Sequence, residues 1–125
     1  MTTADVIKHW RKGAQDALDA AKLLEADAKY DLALFHCHLA LEKALKAAVM
    51  ERTKKPHPKI HRLLSLAKLL QEDWSIDDQE LFDKLSDFAV AARYDDPAWA
   101  EQYATAENSQ QWIRRTSQFL STFLT

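Results

Sequence analysis

The chain has 125 residues, 47% of them apolar and 29% charged, with one glycine, three prolines and a formal net charge of −2. That length suits a single domain spanning residues 1–125 around one hydrophobic core, and so few turn-forming residues argue against hairpins and sheets. A charge so near neutrality excludes a uniformly basic nucleic-acid binder, so any anion-binding role must come from local clustering.

The elements follow in chain order. From Ala4 to about Ala26, residues Val6, Trp10, Ala14, Ala17, Leu18, Ala21 and Leu24 recur at the three-and-four spacing of one helix face, with Thr3 placed to cap its start. Gly13 weakens this helix slightly and marks close packing with a neighbour. From Asp31 to Glu51 the chain is apolar nearly all round, which predicts the central helix of a bundle. Two prolines then force a loop over Arg52–Pro58. A shorter helix is expected near His61 to Glu72, with Leu63, Leu66, Ala67 and Leu70 inward. Ser75 and Asp78 read as a capping box opening a fourth helix that ends near Arg93. The stretch Tyr94–Ala104 has no clean period and is expected to be an irregular connection anchored by Tyr94, Trp99 and Tyr103. A last helix covers about Ala106 to Phe123. The expectation is an all-α, up-and-down bundle of four or five helices.

No stretch approaches the ~18 apolar residues of a membrane span, and the N-terminus lacks a basic region followed by an apolar run, so a cytoplasmic protein is expected. Cys37, the only cysteine, lies in an apolar pattern and reads as a small buried residue. Neither a Gly-rich phosphate loop nor a paired-cysteine motif is present, and His36 and His38 point to different sides of a helix, so no cofactor and no metal are expected.

Charge is unevenly distributed. Between Lys43 and Arg62 stand seven basic residues (Lys43, Lys46, Arg52, Lys54, Lys55, Lys59, Arg62) against one acid, Glu51. Such a run attracts phosphate, and it equally suits the exposed carbonyls of a helix C-terminus. Within the apolar second helix, His38, Glu42 and Lys46 lie four apart on one face, so Glu42 can pair with Lys46 and accept from His38. Buried ionisable groups of this kind must be paired, reach the surface, or face a pocket or partner chain. At the end of the fourth helix, Arg93–Tyr94 can hold phosphate and stack on a base, or act as a pin with Arg93 held by Asp95 or Asp96 and Tyr94 packed inward.

Three pieces carry a family resemblance. Tyr30–Ala47 contains Phe35-His36 followed by Ala40-Leu41-Glu42-Lys43-Ala44-Leu45-Lys46, His61-Arg62-Leu63 opens the third helix, and Ala92-Arg93-Tyr94 ends the fourth. In that order and context they resemble the HEPN (higher eukaryotes and prokaryotes nucleotide-binding) family, in its stand-alone prokaryotic type. The resemblance implies a helical bundle that usually dimerises and is often paired with a minimal nucleotidyltransferase in a toxin-antitoxin-like module. It also implies association with nucleotides or RNA and, in many branches, metal-independent RNA cleavage by an arginine and a histidine separated by four to six intervening residues.

Here Ala98, Trp99 and Ala100 occupy those positions after Arg93, and no histidine follows His61. The Arg52–His57 spacing matches literally but falls in the proline loop. The first expectation is therefore a non-catalytic homodimeric subunit binding a nucleotide, RNA or nucleotidyltransferase through His36, Glu42, Lys43, Lys46, His61, Arg93 and Tyr94. The alternatives are a ribonuclease with an atypical site built from Arg93 and His36 or His61, and a purely structural partner-binding bundle. Four Trp and five Phe, more than a small bundle is expected to bury, are a further argument for the dimer.

Overall fold

A computed structural model describes residues 1–125 as six helices and no strands: α1 Thr3–Ala26, α2 Tyr30–Thr53, α3 Leu63–Lys68, α4 Ile76–Arg93, α5 Pro97–Tyr103 and α6 Ala106–Phe123. α1 and α2 form a helical hairpin, and α2 packs against α1, α3, α4 and α6. Its central place follows from its composition: Leu34, Cys37, Ala40, Leu41, Ala44 and Leu45 are almost wholly buried, and no broad polar face is left to turn outward. Phe82 and Leu85 of α4 and Leu120 of α6 close the core around it. Each such side chain contributes about 1.5–3 kcal/mol by leaving water.

The helix ends depart from expectation in instructive ways. α1 is capped by Thr2, one residue earlier than Thr3: its hydroxyl accepts from the Asp5 amide at 3.1 Å and the Asp5 carboxylate accepts from the Thr2 amide at 3.0 Å. At the start of α4, Ser75 accepts from the Asp78 amide at 3.0 Å, but the reciprocal bond from Asp78 does not form. α1 ends in a Schellman turn, with the Lys29 amide on the Leu24 carbonyl, the Ala28 amide on that of Glu25, and Ala28 in the left-handed region at φ 57°. α2 continues through Arg52 to Thr53, so Arg52 belongs to the helix and not to the proline loop.

The segment Tyr94–Ala104 is not irregular. Asp96 caps α5, accepting from the Ala98 and Trp99 amides, and Pro97 occupies the first helical position. Seven residues are too few to show a 3.6-residue period, so the local signal lay in the Asp-Pro pair alone. Trp99 and Tyr103 anchor the segment against Phe88, with ring centroids 5.8 and 5.5 Å away. Tyr94 does not: it is 75% exposed.

The bundle also shelters its aromatics better than composition suggested. None of the four Trp and five Phe is an exposed residue: Trp74, Phe82, Phe119 and Phe123 form one cluster, Phe88, Trp99, Tyr103 and Trp112 another, and Trp10 and Phe35 pack near His57 and His38. The aromatic argument for a dimer therefore falls away. Gly13 marks close packing as expected: a Cβ there would stand 3.1 Å from Cδ of Lys43, so that side chain would have to shift by a few tenths of an ångström. No helix is long and apolar enough to cross a membrane.

Candidate functional site

α3 lacks a capping side chain of its own at Arg62. Ser86 of α4 supplies one, its hydroxyl accepting from the buried Leu63 amide at 3.0 Å, while Arg62 reaches Asp87 at 3.1 Å and Asp83 at 3.6 Å. These bonds clamp the entry of α3 onto α4. The residue just before the clamp is His61, which is thereby held over α2.

His61 donates from Nδ1 to Glu42 Oε2 at 2.6 Å, and the same carboxylate oxygen lies 3.2 Å from Lys46 Nζ. The three groups differ in exposure: the side chains of Glu42 and Lys46 are 11% and 5% exposed, that of His61 69%. Lys46 further lies 5.8 Å from the centroid of the Trp10 ring, which packs at 4.5 Å against His57. The buried ammonium thus has a carboxylate and an aromatic face, and the buried carboxylate has two cationic or donor partners.

His38 was expected to donate to Glu42. It donates instead from Nε2 to the His61 carbonyl at 3.0 Å, fixing the backbone of the residue whose side chain Glu42 fixes. Burial pushes the His38 imidazole below its ordinary value. The charges of His61 and Arg93 push the same way, against Glu42 and the His61 carbonyl. Arg93, in the last turn of α4, contributes the smallest of these effects.

Arg93 is exposed and forms no ion pair with Asp95 or Asp96. The expected pin is absent because Asp96 is engaged in capping α5 and Asp95 sits in the left-handed region at φ 52°. Glu42, Lys46 and His61 converge on one carboxylate oxygen, whereas Arg93 forms no hydrogen bond or ion pair with any of them. Lys43 and His36 do not join them. Lys43 lies along Gly13 of α1, and His36 contacts its own helix at the Leu32 carbonyl, 2.9 Å away, with Phe35 on its other side. Of the seven basic residues between Lys43 and Arg62, Lys46 and Arg62 are spent on carboxylates and Arg52 on the Leu70 carbonyl. Arg52 and His57 thus have separate partners, which fits their sequence spacing being coincidental.

Trp10, His38 and His57 border the site without having been among its expected members. His38 was legible as a polar residue four before Glu42. Trp10 and His57 were not, because nothing local says which side of α2 they will meet. No group of three or more His, Cys, Asp or Glu is arranged to hold a metal.

What the arrangement offers is an exposed histidine oriented by a buried carboxylate and, on α4, an exposed arginine with no carboxylate of its own. A family model described as HEPN domain matches residues 7–124. No curated protein and no solved structure matches the chain.

Proposed function

Because the chain belongs to the HEPN domain family, whose members are associated with nucleotides and RNA, we propose that it is a non-catalytic homodimeric module that holds a nucleotide or RNA phosphate at Arg93 and His61. What supports this reading is the exposed imidazole of His61, fixed at 2.6 Å by Glu42, together with the exposed guanidinium of Arg93, which forms no ion pair. Glu42, Lys46 and His38 act as positioning residues: buried and internally paired, they set where His61 stands. Tyr94, exposed next to Arg93, is available to stack on a base, and with Val90 one turn earlier it offers an apolar strip for the second copy. The partner in this reading is a minimal nucleotidyltransferase in a two-component, toxin-antitoxin-like module.

Titration calorimetry with ATP and with a short single-stranded RNA tests the ligand. Binding should weaken as salt rises, and Arg93→Ala should weaken it about tenfold, the equivalent of about 1.4 kcal/mol. Absence of salt-dependent binding to either ligand would end the reading. Sizing chromatography of the chain alone and coexpressed with a neighbouring nucleotidyltransferase tests the two assembly steps separately. A stable complex with no nucleotide affinity would favour the purely structural role.

One observation favours a ribonuclease as the second reading. A carboxylate that holds Nδ1–H leaves the opposite nitrogen of His61 as a base for a 2′-hydroxyl proton, and in this reading Arg93 steadies the charged phosphorus centre. Cleavage of RNA in the presence of a chelator, lost in both Arg93→Ala and His61→Ala, is the expected result. No cleavage by the parent protein, or cleavage that survives Arg93→Ala, refutes it.

A further inference from the structure

Two adjoining concavities lie between the other elements, and neither is lined by His61, Arg93 or their partners. The first, about 460 Å³, is walled by Trp74, Phe119 and Phe123 and rimmed by Glu72, Asp77 and Asp78. Its aromatic walls are fixed in place. Trp74 donates from Nε1 to the Ala67 carbonyl at 3.0 Å, and its ring centroid stands 6.1 and 6.2 Å from Phe119 and Phe123, which stack on each other at 5.1 Å.

The rim is strongly anionic. None of the three carboxylates is in an ion pair; the nearby positive end of the α4 helix offsets only about half a charge. Six acidic residues and no basic one stand between Lys68 and Lys84, so the charge belongs to the whole segment. The one cation in the wall, Arg115, is already occupied: it donates to Glu80 at 2.7 Å and the Asp77 carbonyl at 2.9 Å, and its guanidinium stacks 4.5 Å over Trp112.

Aromatic faces surrounded by unpaired carboxylates select an organic cation and repel phosphate. A guanidinium suits them best, because its plane stacks on rings while its edge forks to carboxylates. The second concavity, about 440 Å³, shares Glu72, Thr122 and Phe123 with the first and continues over an apolar floor of Ala44, Ala48, Leu70 and Leu124; its two arginines are engaged, Arg11 with Glu51 and Arg52 with the Leu70 carbonyl. A small free amine would leave that floor bare, whereas a polypeptide covers both compartments.

We propose that this groove is a docking site for a basic segment of a partner polypeptide, with an arginine side chain seated between the rings and carboxylates and a neighbouring apolar residue on the Ala44–Leu70 floor. It is separate in chemistry from the phosphate site proposed at Arg93 and His61 and does not depend on it.

The probe is a blocked five-residue peptide with a central arginine flanked by alanine and leucine, followed by calorimetry and by the indole NMR signal of Trp74. The arginine peptide should shift the Trp74 signal, and its neutral citrulline counterpart should bind about tenfold more weakly or worse. The double substitution Asp77→Asn, Asp78→Asn keeps the helix start polar and should weaken the arginine peptide about tenfold while leaving RNA titrations unchanged. Phe123→Ala, at the shared wall, should do the same to the peptide. Equal binding of the arginine and citrulline peptides, no effect of the asparagine pair, or no shift of Trp74 at millimolar peptide each overturns the proposal. Spermidine binding as tightly as the peptide also overturns it, by making the pocket a site for free amines.

Discussion

Replacing Glu42 by glutamine keeps the shape of the site and removes only its negative charge. Lys46 Nζ, 3.2 Å from that carboxylate in a side chain 5% exposed, would then be a buried cation with the Trp10 ring at 5.8 Å as its main compensation. Breaking a buried pair by removing one partner costs about 3–5 kcal/mol. The ring faces Lys46 in both forms and limits the exposure of the unpaired cation, so a loss of about 3 kcal/mol, the low end of that range, is expected. With a urea dependence of about 1.5 kcal/mol per molar, the unfolding midpoint should fall by about 2 M. Lys46→Met tested alone and together with Glu42→Gln completes a double-mutant cycle, and the double variant should recover most of the loss, because a buried pair exchanged for well-packed neutral groups is often near neutral. A loss below about 1 kcal/mol in Glu42→Gln would show that water reaches Lys46 freely, and the reasoning about a desolvated seam would be wrong.

Three further outcomes follow from the same coordinates. His38 is held below its ordinary value of 6.5 chiefly by burial, so the unfolded chain takes up a proton before the folded one does; stability should be full above pH 6.5 and decline as pH falls toward the folded value. His38→Gln should flatten that part of a stability profile measured by thermal unfolding. Ala28→Gly should raise stability by about 1 kcal/mol, since Ala28 closes the Schellman turn at φ 57°; an unchanged or lower urea midpoint would contradict this. Cys37 is buried and its thiol is pushed up to about 12, so native protein at pH 8 should resist iodoacetamide and react only at the rate at which it unfolds.

Much of the fold could be read locally. Long helices announce themselves by a repeated apolar face, which is why α1, α2, α4 and α6 were expected within a few residues of where they lie, and why α2 was placed at the centre from its lack of a polar side. Capping depends on one side chain and one amide, so the choice of Thr2 over Thr3 escaped a pattern reading. α5 escaped it too, being shorter than two turns.

The candidate site divides along the same line. The pairing of Glu42 with Lys46 is set by four-residue spacing on one helix, and the sequence alone determined it. That His61 comes down on Glu42 was decided by α4, through Ser86 on the Leu63 amide and the Asp87 hold on Arg62, groups more than twenty residues away in the chain. That Arg93 is left free, and not tied to Asp95 or Asp96, was decided by a helix start that claimed Asp96 for its own amides. Hydrogen bonds within a turn are fixed by the chain's period; which side chains meet across helices depends on how the buried faces fit together, and only the packed bundle contains that information.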